Sequence, residues 1–341
     1  MKNNGNSSPL GLDVGTSRIC LARRHDGHVQ FESQLNAFVN IPRSPMTEGV
    51  LKKERIPHSV SGCSLIVHGN ESENLAELLG VEMRRTMSKG MLNPAEPESL
   101  NMIRQMIATL AGDPPSAEGS PEPKPGKKIC FTVPAAPLGA SESLTYHEAT
   151  LQQILTALGF EAQPVNEGLA VVYAELEASN YTGIGVSCGA GLCNVCLAYL
   201  AVPVISFSIP QAGDYIDSNA ASVTGERANH IRLIKENGFY LNGASSDKTQ
   251  QVLGVYHDVL IRGLVDSMAQ AFAGAGKIAK INRPLPIVLS GGTAMPAGFR
   301  DRVEKLLRER EFPIQISEIL LAADPLHSAA KGALAAVLTA A

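Results

Sequence analysis

Apolar and polar positions along this chain fall into blocks that predict alternating strands and helices. The run LGLDVGTSRICLARR is apolar enough for a buried strand, bends at a small-residue stretch around Gly15, and leads through Asp26-Gly27 to HVQFES. Asp-Gly between two extended runs signals a hairpin, because the favoured two-residue turn needs positive φ at its centre. Farther along, TGIGVSCGAGLCNVCLAYL and VPVISFSIP repeat the arrangement. A strand, a small-residue bend and a second strand therefore occur twice, over residues 10–33 and 182–209.

Between and after these hairpins the pattern predicts further elements. KICFTVPAAP and PLPIVLSGGTAMPAGF read as buried strands, and SLIVHG as an extended piece. Helical spacing appears in ENLAELLGVEMRRTM, in PESLNMIRQMIATLAG with Pro97 and Glu98 in its first turn, and in SESLTYHEATLQQILTALGF, capped by Ser141 and ended by Gly159. AQPVNEGLAVVYAELEAS is a strand-to-helix step. DYIDSNAASVTGERANHIRLIKENG, the run 246–281 and the last segment, which supplies two helices, complete the series. Residues 113–128, DPPSAEGSPEPKPGKK, are rich in Pro, Gly, Ser and charge and predict a mobile surface loop, with an unknown protein partner as its alternative role.

A length of 341 residues suits two domains, and 44% hydrophobic with 18% charged residues is a soluble globular composition. A net charge of −4 without a long basic run, and no Trp, point away from a nucleic-acid partner. The polar start MKNNGNSSP has no apolar signal core, and no run reaches the roughly 20 apolar residues that cross a bilayer. A cytoplasmic protein without direct membrane insertion is expected. Six cysteines then read as free thiols. Cys193 and Cys196 form a C-x-x-C with Cys188 upstream, but residues three apart on a strand point to opposite faces and suit no chelate. They read as small buried hydrophobes.

Two hairpins with small-residue bends are what two facing domains need to grip a polyphosphate. Backbone N–H groups approach phosphate oxygens only where no side chain intrudes. The Gly291-Gly292 pair after a buried strand adds a third such approach.

These residues resemble the actin-like ATPase superfamily, nearest to MreB- or MamK-like bacterial actins and divergent from them. GLDVGTSRICLA looks like the first phosphate loop, with a GTS-plus-basic form similar to FtsA. VNEGLAVVYAEL resembles the first connecting helix, and GIGVSCGAGLCNVCLAYL takes the place of the second phosphate loop. QAGDYID is similar to the GGD-x-hydrophobic-D step of MreB and MamK, and VTGERANHIRLIKE to their GER-containing helix. IVLSGGTAMPAGF resembles the adenosine motif and ADPLHSAAKGALAA the second connecting helix. The blocks run in family order, leaving residues 33–128 without a clear match.

The resemblance implies an α/β, actin-like ATPase (ribonuclease H-like) fold with two duplicated domains and a nucleotide cleft between them. Domain I would span 1–180 (IA 9–32 and 128–180; IB 33–127), and domain II 181–341 (IIA 181–212 and 283–324; IIB 213–282). The C-terminal helix, 325–341, would pack back on IA. ATP or ADP with Mg²⁺ is the implied cofactor. Asp13 would hold the Mg²⁺ through water, since that ion favours one or two carboxylates plus phosphate oxygens. Gly15, Thr16, Ser17 and Arg18 would contact phosphates. Glu167 would orient or deprotonate the attacking water, although a Glu in a first helical turn is also favoured by the helix dipole alone.

In the second loop the family's Asp is Ser187, and its Gly-Gly-Gly-Thr core reads Gly189-Ala190-Gly191-Leu192. Phosphate binding should survive, but losing a carboxylate and a hydroxyl predicts slow or lost hydrolysis, with Asp214 of the Gly213-Asp214 step as a compensating group. Gly291, Gly292 and Thr293 would let adenosine approach. Glu226 and Arg232, with Lys235 as alternative, would contact ribose or base; a solvated helix face is the plainer reading of that stretch. The leading expectation is a filament-forming cytoskeletal protein with weak ATPase activity. A non-polymerising nucleotide-binding regulator or assembly adaptor is the rival. A chaperone-type ATPase and a sugar kinase are weaker, for want of a substrate domain or an acceptor signature.

Overall fold

Short apolar runs separated by tight turns make the chain begin as a three-strand meander. A computed structural model describes residues 8–339 apart from 82, 94, 113–125, 140–143, 275–280 and 282. Strands β1 (Leu10–Val14), β2 (Arg18–His25) and β3 (His28–Leu35) pair antiparallel in sequence. Asp26 (φ 49°) and Gly27 (φ 82°) form the tight turn between the last two.

The chain then leaves this sheet. β4 (Ala37–Pro42), α1 (Pro45–Lys53), β5 (His58–Ser61), β6 (Ser64–His68), α2 (Glu71–Leu79) and β7 (Arg84–Arg85) build a four-stranded sheet of order β5-β6-β4-β7. A small hairpin, β8 (Met87–Ser88) and β9 (Met91–Leu92), and α3 (Ser99–Leu110) follow. Sequence periodicity extends a helix through Met87, but α2 stops at Gly80, which caps it in the left-handed conformation (φ 64°) and frees the next residues to pair with β4. Likewise α3 starts after Pro97 and Glu98, with the Glu98 carboxylate taken by Arg84 at 3.0 Å.

β10 (Lys127–Val133) returns to the first sheet parallel to β1, and β11 (Phe160–Asn166) lies parallel to β10. α4 (Thr145–Ala157) joins them and ends before Gly159 (φ 88°), as predicted. Its predicted cap, Ser141, and most of the loop 113–128 lie outside the described residues. The first sheet thus has the order β11-β10-β1-β2-β3.

After α5 (Glu167–Glu175) the same plan is repeated. β12 (Gly183–Cys188), β13 (Cys193–Tyr199) and β14 (Val202–Ile209) form a second meander. Helices α6 (Gly213–Thr224), α7 (Ala228–Glu236) and α8 (Lys248–Ala273) follow. Then come β15 (Leu285–Ser290), α9 (Phe299–Arg308), β16 (Ile316–Leu321) and α10 (Ser328–Thr339). The order β14-β13-β12-β15-β16 matches the first sheet strand for strand, so the molecule has two α/β lobes of one duplicated design. β16 has no clear local signal in the sequence; it is mostly half-exposed and takes its place by parallel pairing with β15.

Each lobe has its own apolar core, and a third cluster joins them. Cys20, Ala22 and Cys130 of the first sheet share it with Cys196, Ala198 and Val288 of the second, through α5 and α10. Cys193 belongs instead to the second lobe's core, on the other face of β13, and all six cysteines are free. The helices cross at bare backbone: a Cβ on Gly332 would lie 1.8 Å from the Ala170 carbonyl oxygen.

Candidate functional site

The two bends that open β2 and β13 face one another across a cavity of about 550 Å³ between the lobes. Each is closed by the same hydrogen bond: Gly15 N–H donates to Arg18 O at 2.9 Å, and Gly189 N–H to Leu192 O at 3.0 Å. The bends nearly touch, since a Cβ on Gly191 would meet Thr16 Oγ1 at 2.4 Å. The backbone N–H groups of Thr16, Ser17, Ala190 and Gly191 have no acceptor among the described residues. Opposed sets of such free donors form an anion cradle.

All predicted contact positions line this cavity except Glu226. Glu226 sits exposed in the turn between α6 and α7, beside a separate surface hollow, because Gly225 caps α6 and turns the chain outward. Three other positions serve differently from expectation. Gly213 N–H donates to Gly189 O (3.1 Å), Asp214 N–H to Ala190 O (2.7 Å) and Thr293 Oγ1 to Gly189 O (2.8 Å). They fasten the second bend from behind. The Asp214 carboxylate accepts from Arg85 Nη1 at 2.6 Å.

Two carboxylates lie between the bends. Asp13, at the end of β1, accepts from Thr132 Oγ1 at 2.5 Å. Withdrawal from water raises its pKa, which the Thr132 bond and the nearby His327 partly offset. Glu167 is the first residue of α5, placed there by Asn166, whose side chain caps the helix by accepting from Leu169 N–H. Its Oε1 accepts from Ser187 Oγ at 2.6 Å and its Oε2 from Asn194 Nδ2 at 2.8 Å. Burial first, and the Asp13 charge second, push the Glu167 carboxyl up to about 8. Two carboxylates this close call for a cation. Among the described residues no group of three or more His, Cys, Asp or Glu could hold a metal alone, so further ligands would be phosphate oxygens and water.

At the other end of the cavity Arg232 and Lys235 both face inward from α7, yet each is committed to protein partners. Arg232 bonds Glu236 and reaches across to Glu73, while Lys235 Nζ lies 2.6 Å from Asp217 Oδ1. Phe239, Met295, Pro296 and Leu326 supply apolar walls to the cavity. Met87 and Gly90, from the small β8–β9 hairpin, lie over the phosphate-facing end.

Sequence reasoning missed Asn194, Thr132 and Arg85. Asn194 had a legible signal: it is the one amide in the buried run CNVCLA, and a buried amide needs partners. Its Oδ1 accepts from Ala135 N–H at 2.9 Å, which fixes its orientation toward Glu167. Arg85 carried no signal, because it stands where periodicity suggests a helix.

Duplicated sheets with a cavity between opposed small-residue bends define an actin-like fold. The chain matches the family Volactin over residues 9–337 and belongs to it. Among solved structures it is similar to a chain of a MamK double helical filament, with a TM-score of 0.67 and 19% identity over 96% of this chain and 98% of that one. A non-polymerising MamK mutant bound to AMPPNP gives a TM-score of 0.55 and 18% identity over the same shares. At these identities the likeness establishes the fold. No curated protein matches the chain.

Proposed function

We propose that this protein binds ATP or ADP with Mg²⁺ in the cleft between its lobes and assembles head-to-tail into filaments, with slow hydrolysis. The observation that carries the reading is the set of unpaired amides on two bends facing one cavity, with Asp13 and Glu167 between them. The amides of Thr16, Ser17, Ala190 and Gly191 would hold the phosphates. Asp13 would hold the cation through water, and the cation would supply charge neutralisation for the phosphoryl group. Glu167, steadied by Ser187 and Asn194, would orient a water. The MamK filament supports the assembly part, since a heterologous contact that does not close gives an open filament. No helix among the described residues is long and apolar enough to cross a membrane.

Calorimetric titration with Mg-ATP tests the binding. Uptake by the parent protein that is lost in Asp13→Asn supports it; no uptake of any purine nucleotide removes it. Sedimentation with Mg-ATP tests assembly separately. Ser187 in the place of the family carboxylate favours a second reading, a non-polymerising nucleotide-dependent regulator, which binding without pelleting would select.

A further inference from the structure

The cavity is roofed by contacts that the two lobes make with each other. Arg85 on β7 of the first lobe holds Asp214 on α6 of the second (2.6 Å), and Arg232 on α7 of the second holds Glu73 on α2 of the first. In these two pairs each lobe gives one arginine and one carboxylate, and a third, looser pair sets Arg18 of the first lobe 3.7 Å from Glu236 of the second. Arg232 is only 3% exposed, which makes its pair with Glu73 poorly screened by salt.

The β8–β9 hairpin closes the remaining gap. Its two turn residues both have positive φ (Lys89 51°, Gly90 76°), which fits a tight two-residue turn. Gly90 rests on Leu192 of the second bend: a Cβ there would lie 2.3 Å from Leu192 Cδ1. Leu192, which in the sequence reads only as a lost hydroxyl, is thus an apolar seat for the opposite lobe. The root of the hairpin is tied to the first bend through one buried amide. Thr86 Oγ1 donates to Asn36 Oδ1 (2.5 Å), and Asn36 Nδ2 donates to Gly15 O (2.9 Å). The hairpin is therefore a rigid part of the first lobe, and it lifts only when the lobes part.

We infer that these contacts suffice to latch the lobes shut, so that entry to and exit from the cavity require the cross-lobe ion pairs to break and Gly90 to leave Leu192. Exchange is then set by the latch. This goes beyond the proposed nucleotide reading and does not need it: the closure concerns the ligand-free protein.

The test measures the distance between the lobes in nucleotide-free protein. Cys63, the one exposed native cysteine, stands on the first lobe, and Ser222→Cys on α6 supplies an exposed partner for a second spin label. In this parent one narrow distance is expected. Arg85→Glu/Glu73→Lys sets like charges at both pairs, at positions that do not line the cavity, and should give a longer and broader distribution with native circular dichroism. A broad distribution in the parent, or an unchanged narrow one in the variant, overturns the latch. If the double variant does not fold, Arg85→Gln removes one pair without repulsion; partial broadening supports the latch and no change overturns it. Release of a fluorescent ATP analogue should be roughly tenfold faster in the double variant, the change expected if the latch contributes one decade in rate. Failure of the analogue to bind either protein would defeat the nucleotide reading and leave the distance result standing.

Discussion

Ser187 donates its hydroxyl to Glu167 Oε1 at 2.6 Å, at the position where the family resemblance leads one to expect a carboxylate. The substitution leaves the site with two carboxyl groups in place of three, and keeps a hydrogen bond that orients Glu167. Ser187→Asp would place a third carboxylate against Glu167, forcing the pair to share a proton or bind a cation. Without Mg²⁺ we expect a loss of about 1–3 kcal/mol, the range for leaving a buried hydrogen-bonding group unsatisfied. With Mg-ATP, phosphate release should rise. Melting curves with and without Mg²⁺, beside a phosphate-release assay, check both; a metal-independent melting temperature would contradict the argument.

Glu167 also makes stability depend on pH. Its carboxyl titrates near 8 in the folded protein against an ordinary value of 4.5, so between those values the folded state holds a proton that the unfolded state has released. Stability from this group is therefore present at low pH and is lost as pH rises through 8. Three buried histidines act oppositely. Burial lowers His68 and His147 to about 4 and His257 to about 3 from an ordinary 6.5, so their effect rises with pH and is complete above 6.5. Between pH 6.5 and 8 the histidines no longer contribute, which leaves the raised Glu167 carboxyl, with Asp13 shifted in the same direction, to set the slope. There the melting temperature of ligand-free protein should fall with pH, and Glu167→Gln, which can still bond Ser187 and Asn194, should flatten the slope.

The parts of this molecule that could be read in its sequence are those that local chemistry decides. The Asp26-Gly27 turn, the stop at Gly159 and the repeated bends follow from backbone rules and short apolar runs, while the choice of Asp13 and Glu167 rests on the family resemblance. What could not be read depends on the opposite lobe. Arg85 and Glu73 look like ordinary helix-face charges until the lobes meet, and Glu226 looks like a cavity residue until Gly225 turns it away. Leu192 reads as a deficit in a phosphate loop, whereas the fold uses it to seat Gly90.

The closeness of the two bends gives a third expectation. Gly191 has room for no side chain, because a Cβ would stand 2.3 Å from the Gly90 amide nitrogen as well as against Thr16. Gly191→Ala must push the lobes apart or tilt the second bend. Stability should fall by about 1–3 kcal/mol, as for other overpacked sites, and nucleotide affinity should fall with it. Gly254→Ala, in the middle of α8 with nothing near its Cβ, is the matched control and should be neutral or slightly stabilising. Chemical denaturation of the pair, with titration of each, makes the comparison.

The helix crossing beneath the cleft gives the last. α5 carries Glu167 on its first turn, and α10 lies against it so closely that Gly332 meets the Ala170 carbonyl with no side chain between. α10 also meets β1, the strand that carries Asp13, where a Cβ on Gly11 would lie 2.2 Å from the Ala330 oxygen. One helix pair therefore sets the spacing of the two carboxylates. Gly332→Ala should be tolerated only by sliding α10 along α5, at a cost of about 3 kcal/mol or somewhat more for a backbone clash that no rotamer can relieve. That slide would move Glu167 relative to Asp13 and weaken their mutual repulsion. The fall in melting temperature between pH 6.5 and 8 should then be shallower in Gly332→Ala than in the parent. A destabilised variant that keeps the parent's pH slope would show that the crossing supports the fold without tuning the site.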